Sequence, residues 1–106
     1  MLWLITRANA NKPGNAEARE AGLTKHREYL RSQKDILLLS GALRSDDGEE
    51  SIGSFFIVNV ENRAAAQAFV DGDPNTQAGH YIDIRITRIR RGDWNPDVAA
   101  GIARGE

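Results

Sequence analysis

The chain has 106 residues, 41% of them apolar and 27% charged, the composition of one globular domain able to bury its own core. A net charge of −1 supplies no global field toward nucleic acid or an anionic membrane. With no cysteine and two histidines, a disulfide framework, a thiolate nucleophile, a Cys-based zinc site and a His-rich metal centre are all excluded or disfavoured.

Met1 to Thr6 is nearly all apolar and β-prone, which predicts a strand buried on both faces. No apolar run approaches the roughly 20 residues of a membrane span. The start also lacks a basic stretch followed by an apolar one, so a cytoplasmic protein is expected. Residues 8–14, with Asn9, Asn11, Pro13 and Gly14, are loop chemistry. Ala16 to Lys34 is rich in Ala, Glu, Arg and Lys and predicts one helix, with Asn15 as N-cap and Glu17 in the positive first turn. Arg19, Leu23, His26, Leu30 and Gln33 share one helical face, with Tyr29 at its edge.

Ile36 to Leu43 predicts a second apolar strand, broken near Gly41, and residues 45–53 an acidic hairpin loop. Ser54 to Val60 is a third strand. Arg63 to Val70 is a second helix, capped by Asn62, with Ala65, Ala68 and Phe69 facing inward. A short helical turn follows Pro74 and stops at Gly79. Tyr81 to Arg90 is the last strand, with Ile82, Ile84 and Ile86 on one face. Residues 94–106 form a tail outside a domain of residues 1–93. The order strand, helix, strand, strand, helix, strand predicts an α+β, ferredoxin-like βαββαβ domain with a four-stranded antiparallel sheet and both helices on one face. Strands apolar on both sides then leave one sheet face uncovered, which points to a two-fold homodimer through that face.

Asp73-Pro74 has two uses. Asp as N-cap with Pro at N1 is a common way to start a helix. The other use is a carboxylate fixed near a sheet edge to orient a histidine or take a proton. His26 is the histidine on a regular face, and imidazole titrates near neutrality. Its bland alternative is a half-buried ring bonded to a backbone carbonyl. In a split βαβ fold the middle of the first helix and the end of the second are neighbours, so Asp73 can fix the His26 tautomer and stabilise its charged form. His80 reads as a loop residue. Ser40-Gly41 offers a hydroxyl and a close backbone approach, with a glycine bulge as the plainer alternative. Arg7, at the end of the first strand, can meet an anionic substrate or simply be solvated. Arg85, Arg88, Arg90 and Arg91 lack interleaved aromatics and read as a salt-bridged strand face, not a nucleic-acid surface. Asp83 and Arg85 point to one side and are expected to pair across the subunit contact. No P-loop, dinucleotide turn, Gly-x-Ser-x-Gly or metal-ligand spacing is present.

Four stretches together resemble a known family: Met-Leu-Trp-Leu-Ile at the start, Leu-Thr-Lys-His-Arg-Glu-Tyr-Leu around His26, Leu-Leu-Ser-Gly-Ala, and Ala-Ala-Ala-Gln-Ala-Phe-Val-Asp-Gly-Asp-Pro followed by Ala-Gly-His-Tyr. The chain is similar over residues 1–90 to the YCII-related (YciI-like) proteins. The resemblance implies a dimeric α+β barrel of ferredoxin-like subunits. It also implies that family's His–Asp pair, which falls on His26 and Asp73. Some relatives act in dehalogenation or lactone chemistry on aromatic breakdown products. The tail from Trp94 departs from the short ending of that family.

The expectation is a small enzyme needing no cofactor and no metal. His26 acts as acid or base, Asp73 orients it, and Arg7, Ser40, Gly41 and Tyr81 hold a small carbonyl-bearing or aromatic-derived acid. Lyase, isomerase and hydrolase chemistry fit equally. The competing expectation is a non-catalytic dimeric module that binds a small ligand or serves as an accessory subunit.

Overall fold

Successive strand residues face opposite sides of a sheet, and in β1 (Leu2–Asn9) the odd positions Trp3, Ile5 and Arg7 are buried while Leu2, Leu4 and Thr6 are half-buried. The structure, a computed structural model, describes residues 1–105; Glu106, the last residue of the predicted tail, lies outside them. After β1 come α1 (Asn15–Ala21), α2 (Leu23–Ser32), β2 (Leu37–Arg44), β3 (Ser51–Asn59), α3 (Arg63–Gly72), α4 (Pro74–Gln77) and β4 (Tyr81–Ile89). The strands form one antiparallel sheet in the order β2-β3-β1-β4, the predicted ferredoxin-like α+β arrangement.

The core lies between that sheet and α3. It joins Trp3 and Ile5 of β1, Phe56 and Val58 of β3, and Ala66, Phe69 and Val70 of α3, flanked by Tyr29, Leu30 and Ile86. The Phe56 and Phe69 rings meet edge to face at 5.2 Å. On the far side of the sheet, Leu4, Ile57 and Leu39 stand in register across three strands, and about half of the Leu39 surface is open.

Several local expectations are corrected by packing. The first helix is two, joined at Gly22, where the Asn75 side chain leaves no room for a side chain: a Cβ on Gly22 would lie 2.3 Å from Asn75 Oδ1. Asn15 is not the N-cap. Gly14, at φ +74°, takes that place, and the buried Asn15 amide instead donates to the Ala10 and His80 carbonyls, tying β1 to β4. β2 is not broken at Gly41, which pairs with Phe55; glycine is needed because the Phe55 ring covers it, and the irregularities fall between Leu37 and Leu39 and between Leu43 and Arg44. In α3 the inward residues are Ala66, Phe69 and Val70, while Ala68 is exposed. The Asn62 cap forms, its side chain accepting from Ala65 N at 2.8 Å.

Nor does β4 keep three isoleucines on one face. The β1–β4 register shifts between Thr6 and Ala8, with Asp83 at φ +50° inside the bulge. Ile86 therefore pairs with Ile5 on the helix side, whereas Ile82 pairs with Ala8 on the other. The same bulge places Arg85 Nε 3.0 Å from Asp83 Oδ1 within one chain, so this pair needs no partner subunit. The tail holds a 3-10 turn at Pro96–Ala99 and leaves Trp94, Val98 and Ile102 exposed.

Gly53 is the tightest point. An added Cβ would meet the Arg7 carbonyl oxygen at 2.2 Å, and that oxygen belongs to a neighbouring strand that cannot step aside. Gly53→Ala is expected to cost about 1–3 kcal/mol, read as a lower urea midpoint. An unchanged midpoint would contradict this approach of β3 to β1.

Candidate active site

Asp73 ends α3 and begins α4, with Pro74 at the first helical position. The two Asp73 oxygens divide the contacts, the helix cap on one and the His26 and Arg7 side chains on the other. Oδ1 accepts from Asn75 N at 3.1 Å, capping α4, while Oδ2 accepts from Arg7 Nη1 at 2.7 Å and faces His26 Nδ1 at 2.8 Å. The residues come from β1, α2 and the α3–α4 junction, so tertiary folding alone brings them together.

Arg7 is buried, at 1% exposure, with Nε and Nη1 paired while Nη2 is enclosed without a hydrogen-bond partner among the described residues. Its Nε donates to Ser54 Oγ at 2.8 Å and its Nη1 also reaches Thr76 Oγ1 at 2.7 Å. The guanidinium is sandwiched between the Tyr81 ring at 3.6 Å and the Phe56 ring at 4.8 Å. Burial pushes the Asp73 carboxyl up, but the hydrogen bonds and charges of His26 and Arg7 outweigh it and hold the group below the usual carboxylate range. Burial, and next the Asp73 charge, raise the Tyr29 phenol, which donates to the Phe69 carbonyl at 2.7 Å.

A depressed carboxyl in the folded state stabilises the fold above its unfolded value of about 3.9 and loses that contribution as pH falls through the folded value. The stability difference between the native chain and Asp73→Asn should therefore be flat above about pH 5 and shrink below about pH 4. Urea titrations across that range measure it, and a difference growing toward acid would contradict the assignment.

A cavity of about 490 Å³ opens between the α1–α2 arm and strands β2 and β3. His26, Ser40, Gly41 and Tyr81 line it, with Leu23, Leu30 and Phe56 as apolar wall. Arg7 and Asp73 sit behind that wall, not in it. The His26 side chain is 15% exposed; Nδ1 lies on Asp73, and Nε2 makes no hydrogen bond among the described residues. His80 lies elsewhere, its carbonyl holding Ala10 N and the Asn15 amide at the β1–β4 strap. Ser54 and Thr76, which hold the Arg7 guanidinium, were not legible as site residues, since a lone hydroxyl in a strand or a short helix carries no distinguishing signal. Among the described residues no group of three or more His, Cys, Asp or Glu side chains is placed to hold a metal ion, and no helix is long and apolar enough to cross a membrane.

The model of the YCII-related domain matches residues 1–90. Among solved structures, the chain is similar to 5-chloro-2-hydroxyhydroquinone dehydrochlorinase (TftG) from Burkholderia phenoliruptrix AC1100, in complex with 2,5-dihydroxybenzoquinone. The two share 29% identity over 87% of this chain and 96% of that one, with a TM-score of 0.74. A Deinococcus radiodurans protein assigned to the antibiotic biosynthesis monooxygenases matches at 17% identity and a TM-score of 0.50, over 90% of this chain and 96% of that one. A further antibiotic biosynthesis monooxygenase matches at 19% and 0.50, over 88% and 100%. These last two show the fold alone. No curated protein sequence matches.

Proposed function

This chain belongs to the YCII-related domain family, and on that premise we propose that it is a small enzyme that moves a proton with His26, needing no cofactor. The observation that carries this reading is the 2.8 Å contact between His26 Nδ1 and Asp73 Oδ2, made behind a cavity that the ring itself lines. Asp73 holds the Nδ1–H, which turns the basic Nε2 to the cavity and stabilises the imidazolium that forms when Nε2 takes a proton. Arg7 serves here as a positioning residue: it fixes and neutralises Asp73 and does not touch substrate. Ser40, Gly41 and Tyr81 contact the substrate from the sheet side.

The substrate class is a small hydroxylated ring. With a chlorinated hydroxyhydroquinone, the substrate type named for the similar dehydrochlorinase, the ring first ketonises, one hydroxyl proton moving to the chlorine-bearing carbon; His26 then takes a second hydroxyl proton while chloride leaves with its bonding pair. Loss of these two as hydrogen chloride gives the hydroxyquinone, with no oxidant consumed. Chloride release from 5-chloro-2-hydroxyhydroquinone, with His26→Ala as control, tests the reading. Release independent of His26 would refute it.

The uncovered face with Leu4, Leu39 and Ile57 supports a homodimer through the sheet. Light scattering should give twice the chain mass, and Leu39→Asp should return it to one. A second reading, a dimeric ligand-binding module without turnover, rests on this face and the cavity, and predicts a ring-binding protein that releases no chloride.

A further inference from the structure

Five side-chain atoms among the described residues are enclosed without a hydrogen-bond partner, and two of them, Arg19 Nε and Asn9 Oδ1, belong to residues lining the His26 cavity. The others, on Arg7, Asn15 and His80, belong to residues outside that lining. A third polar side chain joins the two. Asn75 is buried at 4% exposure and lines the same cavity, and its amide makes no hydrogen bond among the described residues. Its Oδ1 is pressed against Gly22 at the α1–α2 junction, which leaves Nδ2 as the atom available to a ligand.

Enclosed polar groups are almost always paired, because an unpaired one keeps its desolvation penalty with nothing in return. Arg19 Nε and Asn9 Oδ1, a donor and an acceptor enclosed without partners around one cavity, are therefore groups whose partners arrive with the ligand, and the Asn75 amide lining the same cavity is free to meet it. Arg19 has no carboxylate within ion-pair distance among the described residues, so its charge is uncommitted. A guanidinium and an amide N–H lining one cavity suit an oxyanion, and an amide oxygen lining it suits a hydroxyl donor.

We propose that Arg19 and Asn75 bind an ionised ring oxygen of the substrate while Asn9 Oδ1 accepts from a hydroxyl beside it, making the ligand a hydroxylated ring in its enolate or phenolate form. This deepens the reading of His26 as the proton-transfer group and rests on it for what happens after binding. Held this way, the ring lies against the Phe56 and Leu23 wall within the cavity that His26 lines. The subsite also accounts for Gly22, since any larger residue there would push the Asn75 amide out of place.

Calorimetric titration with 2,5-dihydroxybenzoquinone, ionised at neutral pH, tests the assignment, with hydroquinone as the neutral comparator. Arg19→Gln should raise the Kd for the anion about 10- to 100-fold, with Arg19→Lys recovering part of the loss and the hydroquinone Kd moving less than about threefold. Asn75→Asp keeps the shape but removes the donor and adds a repelling charge, so it should weaken the anion at least as much. Arg19 lies on a half-exposed helix face, so its variants remain folded even where a substitution at the buried Asn75 does not. An Arg19→Gln Kd within about threefold of the native one, or no native binding at about 1 mM anion, overturns the subsite. The two readings fail separately. Arg19-dependent binding in a protein whose turnover ignores His26 upholds the subsite and removes the proton-transfer role; His26-dependent turnover with binding indifferent to Arg19 does the reverse.

Discussion

Replacing His26 by alanine is expected to lower kcat on a halogenated hydroxyhydroquinone by about 10²–10⁴-fold, the usual contribution of a positioned acid or base. Stability should fall by only about 1–3 kcal/mol, the loss of one hydrogen bond to a charged group. The asymmetry comes from the geometry. His26 hangs from α2 at the cavity wall with part of its side chain open, so water can enter the space it leaves and solvate the freed Asp73 oxygen. Arg7 still neutralises that oxygen at 2.7 Å. Steady-state rates and urea unfolding of the same variant separate the two effects. A variant that unfolds before its rate can be measured would assign His26 to structure instead.

Arg7→Met is expected to show the opposite balance, losing about 3–5 kcal/mol of stability because a carboxylate is left buried without its fixed counter-charge. Methionine matches the length of the arginine stem but restores none of the bonds to Asp73, Ser54 and Thr76, and no cation remains between Phe56 and Tyr81. The depressed Asp73 carboxyl should then titrate higher, so the acid limb of the stability profile moves upward in pH as well. Urea midpoints across pH 3–7 read both effects, a window that brackets the ordinary carboxylate value of about 3.9. A loss below about 1 kcal/mol would mean that the Arg7–Asp73 pair is no more than a surface-grade contact.

The contrast between these two residues shows how far the sequence reaches. Element order was legible because apolar runs and helix-forming runs alternate cleanly, and local chemistry marked the Asn62 and Asp73 caps. The proximity of His26 to Asp73 followed from topology, since a split βαβ domain lays its two helical arms side by side. Arg7 was different. A cation at a strand end looks solvated from its neighbours alone, and its burial depends on Asp73 and Thr76, 66 and 69 residues away. Gly22 and Gly41 likewise owe their presence to Asn75 and Phe55, residues distant in the chain whose side chains occupy the space of the missing Cβ. The bulge at Asp83 could not be read either, because Ile82, Ile84 and Ile86 keep a strict alternation that only pairing with β1 interrupts. The polar lining of the cavity was hidden for the same reason: Arg19 shows its helical face in the sequence, but not the lack of a partner for its Nε.

Everything functional rests on which His26 nitrogen carries the proton. The ring ¹⁵N shifts of His26, recorded where the imidazole is neutral, give the answer directly. The proposed proton transfer requires protonated Nδ1 held by Asp73 and bare Nε2 toward the cavity that the ring lines. Protonated Nε2, or two nitrogens averaged by exchange between tautomers, would contradict it.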